Sequence, residues 1–288
     1  IHQLTDIHWS YNTQIEEASK FLTAIVSAAK SEKGHIDLIE ITGDTLFVAN
    51  KFIAAKLYET VNSWNIPFAF THGNHDYQGH WSADWINTIV SEGPNALFPY
   101  KQTKNDQVSG ETNYVINVQW NNKDVWQVYN IDTKNLLNDG GSYDYDYIRD
   151  DQVEWYKAQT DASKAKNGKY LPSITYCHIP TNDIIDYSKT TQIGGVIQED
   201  EDPFVFPGAH RSSFLSTALS RNMKGMFYGH DHSNDAVWKY ENALIGYGVK
   251  ANYELYYTND KATNKTLTGG AIVSLKQDET YTLEHFFI

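Results

Sequence analysis

Cysteine is all but missing: Cys177 is the only one in 288 residues, so no disulfide can form within the chain. Basic residues are the minority, 23 Lys and Arg against 36 Asp and Glu, for a formal net charge of −13. A field of that sign repels nucleic-acid backbones and anionic lipid surfaces, which argues against a general binder of either. It leaves anionic small substrates open, because bound cations can invert the local field. No apolar run reaches the roughly 18 residues of a membrane span, and no signal-peptide pattern opens the chain. Low-complexity tracts, internal repeats and linkers are lacking too, so residues 1–288 read as a single domain.

Aromatic residues, by contrast, are plentiful, with 20 Tyr and 8 Trp, which favours broad half-buried sheet surfaces. Residues 1–5 read as a strand ending at Asp6-Ile7-His8, and 15–30 carry helical spacing that stops near Gly34. A strand from Ile36 to Ile41 leads into Gly43-Asp44, and a helix from Phe52 to Trp64 precedes a strand ending at Gly73-Asn74-His75-Asp76. Strand–helix–strand–helix–strand is the pattern of a parallel sheet. Further on, 114–118 and 125–131 read as an antiparallel pair and 150–163 as a helix. A strand from Leu171 to Cys177 ends at His178, and one from Gly225 to Tyr228 ends at Gly229-His230-Asp231-His232. The intervening 186–210 read as a long loop, 212–222 as a helix, and 269–288 as a closing hairpin.

Five strand ends therefore present candidate ligands: Asp6 with His8, Asp44, Asn74 with His75, His178, and His230 with His232. Residues two apart point to one side of an extended backbone, so Asp6/His8 and His230/His232 can act as pairs if the chain stays extended. Taken singly, each histidine is better read as a core or surface residue, Asn74 as a turn former and Asp44 as a helix cap. Five such clusters in order reverse that balance. Carboxylate, imidazole and amide donors together suit borderline divalent or ferric ions, and Asp44 is well placed to bridge two of them.

The motifs Asp6-Ile7-His8, Gly43-Asp44, Gly73-Asn74-His75-Asp76, His178 and Gly229-His230-Asp231-His232 resemble, in order and completely, those of the calcineurin-like metallophosphoesterases. Tyr129-Asn130-Ile131-Asp132-Thr133, Cys177-His178-Ile179-Pro180 and Ser233-Asn234-Asp235 make the chain similar, more narrowly, to the purple-acid-phosphatase-29-like and Dcr2-like branch. The resemblance implies an α/β four-layer sandwich, with two mixed β-sheets face to face flanked by helices. It implies one metal held by Asp6, His8, Asp44 and His232 and a second held by Asp44, Asn74, His178 and His230, the ions drawn from Fe, Zn or Mn. A metal-bridging hydroxide would attack phosphorus and His75 would protonate the leaving oxygen. Purple acid phosphatases carry an iron-binding Tyr three residues after the bridging Asp; here that position is Phe47, so a colourless enzyme is expected. Phe47 cannot orient His75 either, which leaves Asp76 as the adjacent candidate.

The implied activity is that of a phosphomonoesterase with acid phosphatase character, acting on a small phosphate ester, with phosphoproteins and nucleotides as further candidates. The alternatives are a phosphodiesterase on a cyclic nucleotide or phospholipid headgroup, and a metal-binding scaffold without catalysis. A secreted or vesicular location is expected from the resemblance and from an opening that reads as trimmed, with a cytoplasmic one as the alternative. Asn264-Lys265-Thr266 would permit glycosylation in the former case. His2, His35, His72, His80, His210 and His285 have no motif support, and His210 is expected at the surface. Trp9, Tyr11, Tyr77 and Trp81 flank the motif loops, where they could stack on a leaving group or pack the loops.

Overall fold

The computed structural model describes residues 1–78, 83–100, 108–137, 144–186, 188–197, 205–252 and 267–288. In chain order the elements are β1 (His2–Leu4), α1 (Ile15–Lys33), β2 (Ile39–Thr42), α2 (Lys51–Ser63), β3 (Phe68–Thr71) and α3 (Ala83–Ser91). They continue with β4 (Tyr114–Trp120), β5 (Lys123–Asn130), α4 (Asp150–Asn167), β6 (Ser173–Tyr176), β7 (Thr190–Gly194) and α5 (Phe214–Leu219). The chain closes with β8 (Met223–Tyr228), β9 (Val237–Tyr240), β10 (Ala243–Tyr247), β11 (Gly269–Leu275) and β12 (Tyr281–Phe287).

Two mixed sheets result, in the orders β12-β11-β1-β2-β3 and β4-β5-β6-β8-β10-β9-β7. In the first, β1, β2 and β3 run parallel, as in His2↔Ile39 and Ile41↔Phe70, and the β11–β12 hairpin closes one side antiparallel. In the second, β5, β6, β8 and β10 run parallel between antiparallel edges. Period-2 alternation sorts the residues. Leu4, Ile39, Ile41, Phe68 and Phe70 pack on the apolar stripes of α1 and α2, including Leu22, Ile25, Leu57 and Val61. On the other sheet, Tyr129, Met226 and Tyr228 pack on Val153 and Tyr156 of α4 and Phe214 of α5. Between the sheets lie Trp126, Val128, Ile174, Tyr176, Phe227 and Val273. This is the expected four-layer sandwich.

The structure corrects two expectations. Within 186–210, Thr190–Gly194 is a strand, an edge that pairs antiparallel with β9. Its exposed Thr-Gln-Ile-Gly run has no buried face, so the alternation that marks a strand is missing. The helix Ala83–Ser91 was not anticipated, although Ser82 before it and Asp84 in its first turn are start signals. The acidic run 199–203, His80, Trp81 and the sequon at 264–266 lie outside the described residues. No helix among the described residues is long and apolar enough to cross a membrane.

One of the inward-facing polar residues is a carboxylate. Glu40 of β2 is fully buried, and neither carboxylate oxygen has a hydrogen-bond partner. Burial pushes its pKa well above the usual value of 4.5, with Asn130 of the opposite sheet opposing only in part. The folded state therefore binds this proton more tightly than the unfolded chain does. Its contribution is fully present below pH 4.5 and is lost as pH rises towards the raised folded value. The neutral isostere Glu40→Gln should raise Tm at pH 7.5 by more than about 2 °C and change it little at pH 4. Thermal denaturation at both pH values checks this; equal shifts at the two would contradict the assignment.

Candidate metal centre

Beyond the strand ends, the first two motif loops are zipped together. Asp6 N–H donates to Gly43 O (3.1 Å), His8 N–H to Asp44 O (2.9 Å) and Trp9 N–H to Thr45 O (3.0 Å). Asp6, His8 and Asp44 sit at φ 52°, 53° and 50°, and His230 at 82°. The extended pairing expected for Asp6/His8 and His230/His232 is thus replaced by left-handed turns, which fold the side chains back over the sheet edge. Two glycines permit the close approach. Gly43 lies at φ +83°, where a Cβ would come within 2.6 Å of both Gly73 N and His178 Nδ1; a Cβ on Gly73 would collide with the Asp44 carboxylate.

Asp44 sits at the middle. Its Oδ2 lies 3.3 Å from His8 Nε2, 3.2 Å from His178 Nε2 and 3.9 Å from His75 Nε2, while Oδ1 accepts the His75 N–H at 2.8 Å. Asp6 Oδ1 lies 3.5 Å from His232 Nε2 and 3.8 Å from His8 Nε2. His178 donates through Nδ1 to Thr42 O (2.8 Å), which turns Nε2 towards the site, 3.2 Å from Asn74 Oδ1. His230 donates its N–H to the Asp6 carboxylate at 3.2 Å, and its ring lies 5.2 Å from that of His178.

Two donor groups emerge. The ligand atoms of Asp6, His8, Asp44 and His232 all lie within 4.8 Å of one another, as do those of Asp44, His178 and His230, with Asp44 common to both. Asp44 Oδ2 and His8 Nε2 are buried without a hydrogen-bond partner. Orphaned buried donors and acceptors are costly, and a carboxylate and an imidazole aimed at each other suit a borderline divalent cation. The residues fit two cations sharing one carboxylate.

The electrostatics agree. Burial alone would raise Asp6, yet hydrogen bonds from His232 and His8 hold it well below the carboxylate range. Burial also opposes ionisation of Asp44, and His178 and His75 outweigh it. His8 and His178, against the pull of burial, are pushed up to about 9 and about 10, Asp44 being the main partner of each. His230 goes the other way, lowered by burial and then by His178. A cation binding here displaces protons from these imidazoles.

His75 opens a 3-10 turn, His75–Tyr77, with its side chain 23% exposed at the rim. Asp76 does not orient it. The buried Asp76 carboxylate instead accepts from Thr45 N–H (3.1 Å), Thr45 Oγ1 (2.7 Å), Leu46 N–H (3.1 Å) and Gly73 N–H (2.9 Å), tying the second motif loop to the third. The partner of His75 is Gln78, whose Oε1 is 2.6 Å from Nδ1 and whose Nε2 donates to Asn135 Oδ1 at 3.4 Å. An amide oxygen only accepts, so Nδ1 carries a hydrogen and Nε2 faces Asp44. Sequence reasoning missed Gln78; the signal was its position three residues on, one turn away from His75.

The other highlighted residues hold the scaffold. Asp132 accepts from Tyr77 Oη (2.6 Å) and from the N–H groups of Glu111 (2.7 Å) and Thr112 (3.2 Å), and Thr133 Oγ1 accepts from Ile179 N–H at 2.9 Å. Trp9 is buried, and Tyr11 is exposed. Cys177 is buried among apolar side chains, with burial pushing its thiol up, and takes no part in the site. His2 and His72 are buried, His72 lying 2.8 Å through Nε2 from Asn87 Oδ1. His35 and His210 are at the surface, and His285 pairs with Asp235 at 3.5 Å.

Comparison with known proteins fits this geometry. Residues 1–234 match the model of the calcineurin-like phosphoesterases. The chain is 25% identical over 256 residues to the Arabidopsis thaliana protein described as probable inactive purple acid phosphatase 29, covering 82% of this chain and 63% of that one. It is 26% identical over 208 residues to phosphatase DCR2 of Saccharomyces cerevisiae, covering 68% of this chain and 35% of that one. The chain thus spans less than two thirds of the length of either relative. Among solved structures, a dimetal phosphatase from Danio rerio superposes with a TM-score of 0.58 at 11% identity over 86% of each chain, a likeness of fold. With four-fifths of its length matching the family model and every motif at a strand end, the chain belongs to the calcineurin-like phosphoesterase family.

Proposed function

We propose that the chain is a dinuclear-metal phosphomonoesterase of acid phosphatase character. The observation that carries this reading is the shared Asp44 carboxylate, common to both donor groups and within 3.9 Å of His75 Nε2. Asp6, His8, Asp44 and His232 would hold one ion and Asp44, Asn74, His178 and His230 the other, from Fe, Zn or Mn. Bound there, the pair would activate water and neutralise charge on the phosphoryl oxygens. With Phe47 in place of an iron-binding Tyr, the loaded protein is colourless.

The chain's own contribution is positioning and a proton. Phosphoryl transfer needs in-line placement and protonation of the leaving oxygen, and no covalent nucleophile. His75 donates that proton from Nε2, which faces Asp44, while Gln78 holds the ring by Nδ1. Burial lowers the His75 pKa, with Asp44 opposing, which sharpens its acidity as a proton donor. The Gln78 hydrogen bond offsets that lowering only in part, where a carboxylate would raise the pKa further.

The description of the plant relative as probable inactive favours, as second reading, a metal-binding scaffold without catalysis. Turnover separates the two: a metal-loaded protein with no hydrolysis of any phosphate ester between pH 4 and 9, a window bracketing carboxylate and histidine titration, supports the scaffold. Relative rates on an aryl phosphate and its bis-aryl diester separate monoesterase from diesterase.

Four variants test the assignments. Asp44→Asn should remove at least half of the bound metal, measured by mass spectrometry, and abolish hydrolysis. His75→Ala should keep its metal and lose rate by about 10²–10⁴-fold, the usual worth of a general acid. Gln78→Ala should keep its metal and lose about 10-fold in kcat, whereas Gln78→Glu should recover rate with the alkaline limb of the kcat profile moved up, since a carboxylate keeps the imidazole protonated to higher pH. Metal loss in the His75 variant would move that residue into the ligand set; an unchanged profile in Gln78→Glu would break the positioning role.

A further inference from the structure

Phe47 is 42% exposed and Val48 54% exposed, although they directly follow the buried Asp44, Thr45 and Leu46. The Phe47 ring meets that of His75 nearly at right angles, centroids 4.8 Å apart, and lies 5.9 Å from that of His8. It is held there from both sides. Its N–H donates to Trp9 O at 2.9 Å, and the preceding Leu46 N–H is anchored on Asp76 at 3.1 Å. Val48 adopts φ 45°, a conformation that β-branched residues rarely take. Backbone strain of this kind persists where the surroundings impose it, and it gathers at ligand-contacting loops. Tyr11, 55% exposed, belongs to the neighbouring loop, joined to this one by the Trp9–Leu46 bridge.

We infer that Phe47, with Val48 beside it, is the wall against which the leaving group lies, and that the site selects phosphate monoesters of aromatic alcohols. The inference rests on the role proposed above for His75. The oxygen that takes the His75 proton carries the leaving group, and among the described residues the exposed ring packed on that imidazole is Phe47. A rigid, half-open ring in that place gains most from a flat apolar partner, by offset or edge-to-face packing. A small polyol would leave the ring in water and gain nothing from it. The bond broken is the ester P–O bond; the alcohol departs with the proton from His75, and water supplies the oxygen retained on phosphate. No further co-reactant is needed.

The test separates binding from leaving-group chemistry by using phosphonates, which cannot be hydrolysed. Dissociation constants of phenylphosphonate and methylphosphonate are measured by calorimetry on the metal-loaded wild type, Phe47→Ala and Phe47→Leu, with metal content determined in each. Wild type should bind phenylphosphonate at least about 10-fold more tightly than methylphosphonate, a preference of the size that aromatic stacking supplies. Phe47→Ala should lose most of that preference, with methylphosphonate changed less than about 2-fold. Phe47→Leu, which keeps apolar packing on His75, should fall between. Equal loss for both ligands in Phe47→Ala would show that Phe47 only supports His75, and an unchanged ratio would show that it does not touch the leaving group; either overturns the inference. The reading of the chain as an esterase stands or falls separately, on turnover of the phosphate-ester panel. A wild type without aryl preference but with turnover intact therefore rejects the Phe47 assignment alone.

Discussion

Everything at this site depends on two loops that approach closely enough for one carboxylate to serve both sides. Asp44 reaches the middle because the loop after β2 is bonded to the loop after β1 along its length and lies back to back with Gly73. Asp76 completes the arrangement: one buried carboxylate satisfies donors from both the second and the third loop. Buried polar groups in such numbers are tolerable only when each has a partner. Among the ligand candidates, Asp44 Oδ2 and His8 Nε2 are buried without a hydrogen-bond partner, and both face the candidate cation positions. The sandwich supplies the stiffness, with helices outside and an aromatic-rich layer between the sheets keeping five strand ends in place.

Much of this was legible in the sequence for a plain physical reason. The parallel strands are fully buried, so they stand out as apolar runs, and each terminates in polar residues that have no business at the end of a core strand unless they do chemistry. The pattern alone offers Asp6, His8, Asp44, Asn74, His75, His178, His230 and His232, and the structure brings them together; setting His75 apart from the ligands rested on the family resemblance. The β7 edge was not readable, because an exposed strand has no alternation to display. The turns at Asp6, His8 and His230 were not readable either, since positive φ at a non-glycine residue is imposed by neighbouring loops and leaves no mark on composition.

The case of His75 is more instructive. Adjacency suggested Asp76, but in a helical turn neighbours in sequence point in different directions, while residues three apart share a face. The carboxylate therefore turns inward to the backbone amides and the amide of Gln78 meets the imidazole. His75 thus has a neutral partner at Nδ1, and the carboxylate near its ring is that of Asp44 at Nε2.

The donors come from both halves of the sandwich: Asp6, His8, Asp44 and Asn74 from loops after β1, β2 and β3, and His178 and His230 from loops after β6 and β8. No sheet alone holds a complete donor group. Occupancy of the site and docking of the two sheets are therefore two faces of one equilibrium, and by linkage each strengthens the other in equal measure. By that linkage, a change in the layer around Trp126 and Val273 would alter ion affinity, and withdrawing ions would loosen the adhesion between the sheets.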